Sequence, residues 1–197
     1  MTGFKIGLRH VGGGAPCLIV AEVAQAHEGS VQIAHAYIDA IADAGADAVK
    51  FQCHLAEFES TPDEPWRVEP KWAHDTSRYD YWRRTSFTRE QWESLRVHAD
   101  MRGLIFLCSP FSVEAVKLLD PLVPAWKVPS GEINNGLLLA TMTRKDGAKP
   151  LIISTGMATI REIERACLYA RAGLALLQCT SQYPTPAERV GLHQLNR

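Results

Sequence analysis

The chain has 197 residues, 46% hydrophobic and 22% charged, which is ordinary globular composition and enough to bury a sizeable core in one domain. A formal net charge of −1 supplies no broad basic field, which argues against nucleic acid as a partner. No apolar run reaches the ~18–20 residues needed to span a bilayer, so no membrane partner is expected.

The first ten residues, MTGFKIGLRH, run into glycines rather than an apolar core, which predicts no export signal. Lys5 to Val23 reads as a short strand, a turn at Gly12-Gly13-Gly14 and a longer buried strand from Cys17. From Ser30 the period changes: Ala34, Tyr37, Ile38 and Ile41 share one helical face, with Ser30 as N-cap and Gly45 as stop. Ala46 to Gln52 is a strand of buried type. Residues 53–87 lose the pattern and read as a long aperiodic excursion rich in aromatics (Trp66, Trp72, Tyr79, Tyr81, Trp82), either a functional lid or a surface excursion packing its own rings.

Alternation then resumes. Thr88-x-x-Gln91 is a capping box for a helix burying Trp92, Leu95 and Ala99. Leu104 to Ser109 is a strand, Ser112 opens a short helix through Leu119, and Pro124 to Ser130 is the next strand. A helix near Leu137 to Arg144 leads to a strand over Pro150 to Thr155. Thr159-x-x-Glu162 is a second capping box, with Ile160, Ile163, Cys167 and Ala170 predicted on the buried face, and Leu174 to Thr180 is the sixth strand. The cysteines (Cys17, Cys53, Cys108, Cys167, Cys179) are scattered, with no C-x-x-C pair, and fit a reduced, cytoplasmic compartment.

Six strands alternating with helices predict a parallel sheet, closed as a (β/α)8 TIM barrel or open and doubly wound. No glycine-rich dinucleotide fingerprint follows the first strand, which disfavours the second. The strands deliver polar groups at one edge: Glu22, Lys50 with Gln52, Ser109, Lys127 with Ser130, Ser154 with Thr155, and Thr180 with Ser181. That edge is where parallel α/β folds keep their chemistry. Lys50 and Lys127 sit in apolar runs, where a lysine needs an anion or gives up its charge. Lysines with several hydroxyls suit phosphate and carboxylate groups. Glu22 suits a sugar hydroxyl, a metal-bound water or a proton-transfer step. Taken singly, each lysine could instead form a rim salt bridge, and a Schiff-base aldolase would need one of them neutral.

The segments AEVAQAHEGS, GADAVKFQ, FLCSPFS, KVPSGEINN, LIISTGMATIREIE and LLQCTSQYPTPAERVGL together resemble the sialic acid synthase (N-acetylneuraminate synthase) family across residues 17–192. The resemblance implies a TIM barrel, here a domain over 1–197 with about six β/α units. It also implies condensation of phosphoenolpyruvate with an N-acetylated amino sugar, such as N-acetylmannosamine, to a nonulosonic acid and phosphate. By family pattern Lys127, Ser130, Ser154 and Ser181 hold the phosphate, and Lys50 with Ser109 the carboxylate. Glu22 acts on the sugar or on proton transfer, and Gln52, Glu132 and Tyr183 line the sugar side. A divalent metal, Mn or Mg, is implied as cofactor, with its usual histidine ligands expected beyond residue 197. A C-terminal antifreeze-like domain is likewise expected to lie outside this chain. The full-length family protein is expected to be a homodimer.

Three positions depart from the family pattern: Ala26 precedes His27 where asparagine is usual, Ser109 stands for threonine, and Gln182 for asparagine. His27 and His54 match no family metal ligand and are expected as hydrogen-bonded rim histidines. Two alternatives stay open from the sequence: another phosphoenolpyruvate- or sugar-phosphate-using barrel, and a truncated, non-catalytic remnant that binds an anionic ligand.

Overall fold

The computed structural model describes residues 3–66, 74–144 and 147–196; Trp72, one of the aromatics of the 53–87 excursion, lies outside them. The chain divides into two compact units, Leu18–Val123 on one side and Met1–Cys17 with Pro124–Arg197 on the other.

Two short strands open the chain, β1 (Phe4–Ile6) and β2 (Arg9–Val11), paired antiparallel with Ile6 opposite Arg9. The turn is therefore at Gly7-Leu8 and not at the triple glycine. Gly7 takes φ 57°, the left-handed conformation a tight hairpin demands and glycine tolerates.

The Leu18–Val123 unit carries a parallel sheet of β3 (Val20–Ala24), β4 (Ala48–Cys53) and β5 (Ile105–Pro110) in that order. Helix α1 (Val31–Asp43) follows β3. It is capped by Ser30, whose hydroxyl accepts from Ile33 N at 3.3 Å, and Gly45 (φ 79°) follows its end. Ala34 and Ile38 are buried as expected, but Tyr37 is 37% exposed, so the inward stripe is narrower than its spacing suggested. After β4 come α2 (Ala56–Glu59) and α3 (Arg78–Thr85). The stretch read as aperiodic thus contains two helices, one of only four residues and one whose rings and charges form no apolar stripe. Helix α4 (Arg89–Met101) has both halves of the Thr88/Gln91 capping box and buries Trp92, Leu95 and Ala99. Its rings meet Phe51, Phe87 and Phe106 edge-on, forming the aromatic core of this unit. Helix α5 (Val113–Leu119), capped by Ser112, completes it.

The other unit has its own parallel sheet of β6 (Trp126–Val128), β7 (Leu151–Ser154) and β8 (Leu174–Leu177), with α6 (Gly136–Met142) and α7 (Ile160–Cys167) after β6 and β7. Trp126, Leu138, Leu139, Leu151 and Ile153 form its core. The predicted buried face of α7 is only partly right: Ile160 is 66% exposed, and Ala166 makes the tight contact. A small residue lets the helix approach the sheet, while the branched residue of its first turn stays in solvent. The Thr159/Glu162 capping box is complete, with Thr159 N donating to Glu162 Oε2 at 2.6 Å and Glu162 N to Thr159 Oγ1 at 3.4 Å. Thr159→Ala is expected to cost about 1 kcal/mol, read as a lower denaturation midpoint with unchanged slope. Among the described residues no helix is long and apolar enough to cross a membrane.

Candidate functional site

In the first sheet, pairing places Glu22 beside Lys50 and Gln52 beside Ser109. Side chains alternate along a strand, so Lys50, Gln52 and their partners share one face, while Phe51 and Phe106 pack on the other. Lys50 is 7% exposed and its ammonium pairs with the Glu22 carboxylate, which is itself 41% exposed. For Lys50 the rim salt bridge is therefore what forms. Glu22 is aimed by a β-bulge: the register shifts between Glu22 and Ala24, Ala24 takes φ 51°, and Ala24 N donates to Glu22 Oε1 at 3.1 Å. The Ser109 hydroxyl is buried and, among the described residues, has no hydrogen-bond partner.

Neither His27 nor His54 sits on an open rim. His27 is fully buried against Phe87, at 4.4 Å between ring centroids. Its Nδ1 accepts from Gly29 N at 3.1 Å, and burial lowers its pKa to about 4, so it stays neutral. His54 lies between two rings, Trp82 at 4.5 Å and Phe111 at 3.9 Å. The Glu59 carboxylate accepts from its Nδ1 at 2.7 Å, and its Nε2 meets Gln52 Oε1 at 3.3 Å. Sequence reasoning missed this arrangement, because Trp82 and Phe111 reach His54 only through the tertiary fold.

In the second unit Lys127 lies on β6 and Ser154 on β7, with Lys127 opposite Ile152, so the two share a face. Lys127 Nζ donates to Ser154 Oγ at 2.7 Å and to Val128 O at 3.0 Å. Both side chains are buried, and among the described residues Lys127 has no carboxylate partner. An ammonium held only by neutral oxygens away from water is poorly compensated, and burial lowers its pKa to about 8.

Two further serines converge close by. A Cβ added to Gly156 would lie 2.6 Å from Ser181 Oγ and 2.9 Å from Ser130 Oγ. The two hydroxyls therefore both border the glycine, at the turn after β7 where Met157 takes φ 64°. The same point is 3.4 Å from Cys179 Cβ. Lys127, Ser130, Ser154 and Ser181 thus gather in one place.

Other sequence candidates are placed differently. Glu132 accepts from Asn135 Nδ2 at 2.8 Å, which also fixes the residue that caps α6. Thr155 and Thr180 spend their hydroxyls on Leu177 O and Arg189 O, both at 2.8 Å. Tyr183 is 98% exposed and is not packed against the serine cluster. Among the described residues no three His, Cys, Asp or Glu side chains converge into a metal-holding group, so no chemical step is assigned to a metal here.

Comparison with known proteins places this geometry in a family. The NeuB family profile matches residues 37–197. The chain is 32% identical to N-acetylneuraminate-9-phosphate synthase of Homo sapiens, over 95% of this chain and 53% of that protein. It is 35% identical to N,N'-diacetyllegionaminic acid synthase of Campylobacter jejuni, over 89% of this chain and 54% of that protein. A solved structure of an N-acetylneuraminic acid synthetase from Leptospira borgpetersenii, in complex with citrate, superposes with TM-score 0.84 at 26% identity, covering 99% of this chain and 65% of that one. The chain spans about half the length of the curated relatives it matches.

Proposed function

Because the chain belongs to the NeuB family, we propose that it carries the phosphoenolpyruvate-binding part of a nonulosonic acid synthase, built as about six units of a (β/α)8 barrel. The reaction is the condensation of phosphoenolpyruvate with an N-acetylated amino sugar, releasing phosphate. The observation that carries this reading is Lys127: a buried ammonium without a carboxylate, beside Ser154, with the Ser130 and Ser181 hydroxyls converging at Gly156. Such a group is stabilised by an incoming phosphate through charge-assisted hydrogen bonds, and the hydroxyls donate to the remaining phosphate oxygens. Binding a dianion also raises the Lys127 pKa, which keeps the lysine charged while phosphate is bound.

In the Leu18–Val123 unit, Lys50 and the unpartnered Ser109 hydroxyl take the carboxylate role, and Glu22, tied to Lys50, takes the proton-transfer role. Gln52 serves the acceptor sugar. Glu132 and Tyr183 belong to the same sugar side in this reading. A divalent metal, for which the described residues offer no ligand group, and a homodimer of the full-length protein are further elements of the proposal.

Calorimetric titration of the chain with phosphoenolpyruvate, repeated in the presence of inorganic phosphate, tests it. The expected result is saturable binding that phosphate competes away. Absence of binding by either anion would overturn the proposal.

A further inference from the structure

Two histidines of the Leu18–Val123 unit meet between helices, and the proposed chemistry uses neither. His35 lies on α1 and His98 on α4, with their Nδ1 atoms 2.7 Å apart. The rings are tilted by 43°, with centroids 4.9 Å apart, and both are half-buried. Each outer nitrogen has an oxygen within reach. His98 Nε2 is 3.1 Å from Asp39 Oδ1, and His35 Nε2 is 3.4 Å from Ser94 Oγ. Ser94 in turn donates to Gln91 O at 2.8 Å.

The surrounding charges are largely committed. Asp39 also meets Arg102 Nε at 3.4 Å, and Asp43 pairs with the same guanidinium. On α4, Arg89 pairs with Glu93 and Arg96 with Asp100, while Glu90 stays in the capped first turn. Strand β3, packed on α1, carries Glu22, which pairs with Lys50. Strand β5, packed on α4, carries the Cys108 thiol, which burial keeps neutral.

Proton counting limits what this arrangement tolerates. A hydrogen bond between two ring nitrogens needs one proton, not none and not two. The Asp39 carboxylate only accepts, which puts a proton on His98 Nε2. In the neutral pair His35 Nδ1–H is then the donor, His98 Nδ1 the acceptor, and His35 Nε2 is bare. One added proton goes to that bare nitrogen, where Ser94 Oγ accepts from it while the serine hydrogen stays on Gln91 O. Every contact survives. A second added proton has only the line between the Nδ1 atoms left, and there two N–H groups would point at each other between two charged rings. The pair therefore takes up one proton and resists the next. The direction at His35 agrees: burial first, and then the neighbouring His98, hold its pKa below the ordinary 6.5, against an opposing pull from Asp39.

We infer that His35 and His98 form an acid-sensitive latch between α1 and α4, closed while the pair carries at most one extra proton and open once both imidazoles are charged. Helix α1 follows β3, which carries Glu22, and α4 leads into β5, which carries Ser109, so opening loosens the helices next to those strands. Linkage gives the direction. The unfolded chain accepts the proton that the folded pair resists, so the latch contributes fully above about pH 6.5 and is lost as pH falls below it.

Hydrogen exchange and imidazole NMR on the chain between about pH 7.5 and about pH 4.5 test the latch. That range stops above the point, about 4, at which the buried His27 takes its proton. After correction for the pH dependence of free-amide exchange, amides of α1 and α4 around the pair are expected to exchange about fivefold faster at the acid end, the worth of one hydrogen bond. The two imidazoles are expected to titrate in two coupled steps, with the loosening following the lower one. His35→Asn leaves an amide that bonds His98 Nδ1 in either protonation state, donating or accepting, and is expected to hold the acid change below about twofold. His10→Asn, at an exposed position of β2, is expected to leave the acid change as it is. Acid loosening of equal size with His35→Asn would overturn the inference. So would independent one-step titrations of the two histidines in the unaltered chain, a result that needs no variant to fold.

Discussion

Lys127→Ala is expected to weaken phosphoenolpyruvate binding roughly 10- to 100-fold, the worth of one or two charge-assisted hydrogen bonds, while Lys117→Ala leaves it within about twofold. Lys117 is 61% exposed on α5, opposite Glu114 at 3.5 Å, so its charge is shared with water and salt. Lys127 is buried, and its ammonium contacts only neutral oxygens. Its pKa, lowered to about 8 by burial, gives the effect a pH signature. Below pH 8 the charge is present; as pH rises through 8 it is lost, so affinity should fall there in the unaltered chain and stay flat in the variant.

Stability moves the other way. The folded-state pKa lies below the ordinary lysine value of 10.5, so between the two the unfolded chain binds more protons and stability rises with pH. Burying the charged form is a cost present in full below pH 8 and relieved above it. Relative to Lys127→Met, the unaltered chain is expected to gain roughly 2 kcal/mol between about pH 7 and about pH 9.5, measured by denaturant unfolding at both pH values.

The second large effect is at Gly156. An alanine methyl would sit 2.6 Å from Ser181 Oγ and 2.9 Å from Ser130 Oγ, closer than real contacts allow. Serine side chains can rotate away, so the fold should survive at a cost of about 1–2 kcal/mol. Binding should not survive as well, since both hydroxyls are displaced and the methyl takes the space they border. Two neutral hydrogen bonds at about 1 kcal/mol each plus the steric term predict roughly a 100-fold loss of phosphate affinity. Gly131→Ala is the control. Its added methyl meets nothing within 4 Å, so affinity should change by less than about twofold. Calorimetry on both variants reads the difference, and equal losses would show that the serines are not the ligands.

The features legible in the sequence were those set by local chemistry. N-caps at Ser30, Ser112 and Thr159 and the box at Thr88 depend on groups three residues apart, and they appear as read. Polar residues ending apolar runs fixed the shared face of Lys127 and Ser154, because a buried strand has few reasons to carry them. The hairpin turn was misplaced because a run of three glycines is a louder signal than the single Gly7 that a two-residue turn requires. Helix α2 escaped because four residues are too few to show a period, and α3 because its rings and charges form no apolar stripe. The clamp on His54 could not be read at all: its rings come from separate elements, and no spacing rule links them. Gly156 looked like a turn residue, and only the two serines bordering it reveal why a side chain is excluded there.

A crystal structure of the chain with phosphoenolpyruvate tests the central claim most directly. The account predicts the phosphate seated over Gly156, with Lys127 Nζ and the hydroxyls of Ser130, Ser154 and Ser181 as its ligands. Phosphate density elsewhere, with Lys127 still bonded only to Ser154 and Val128, would contradict it.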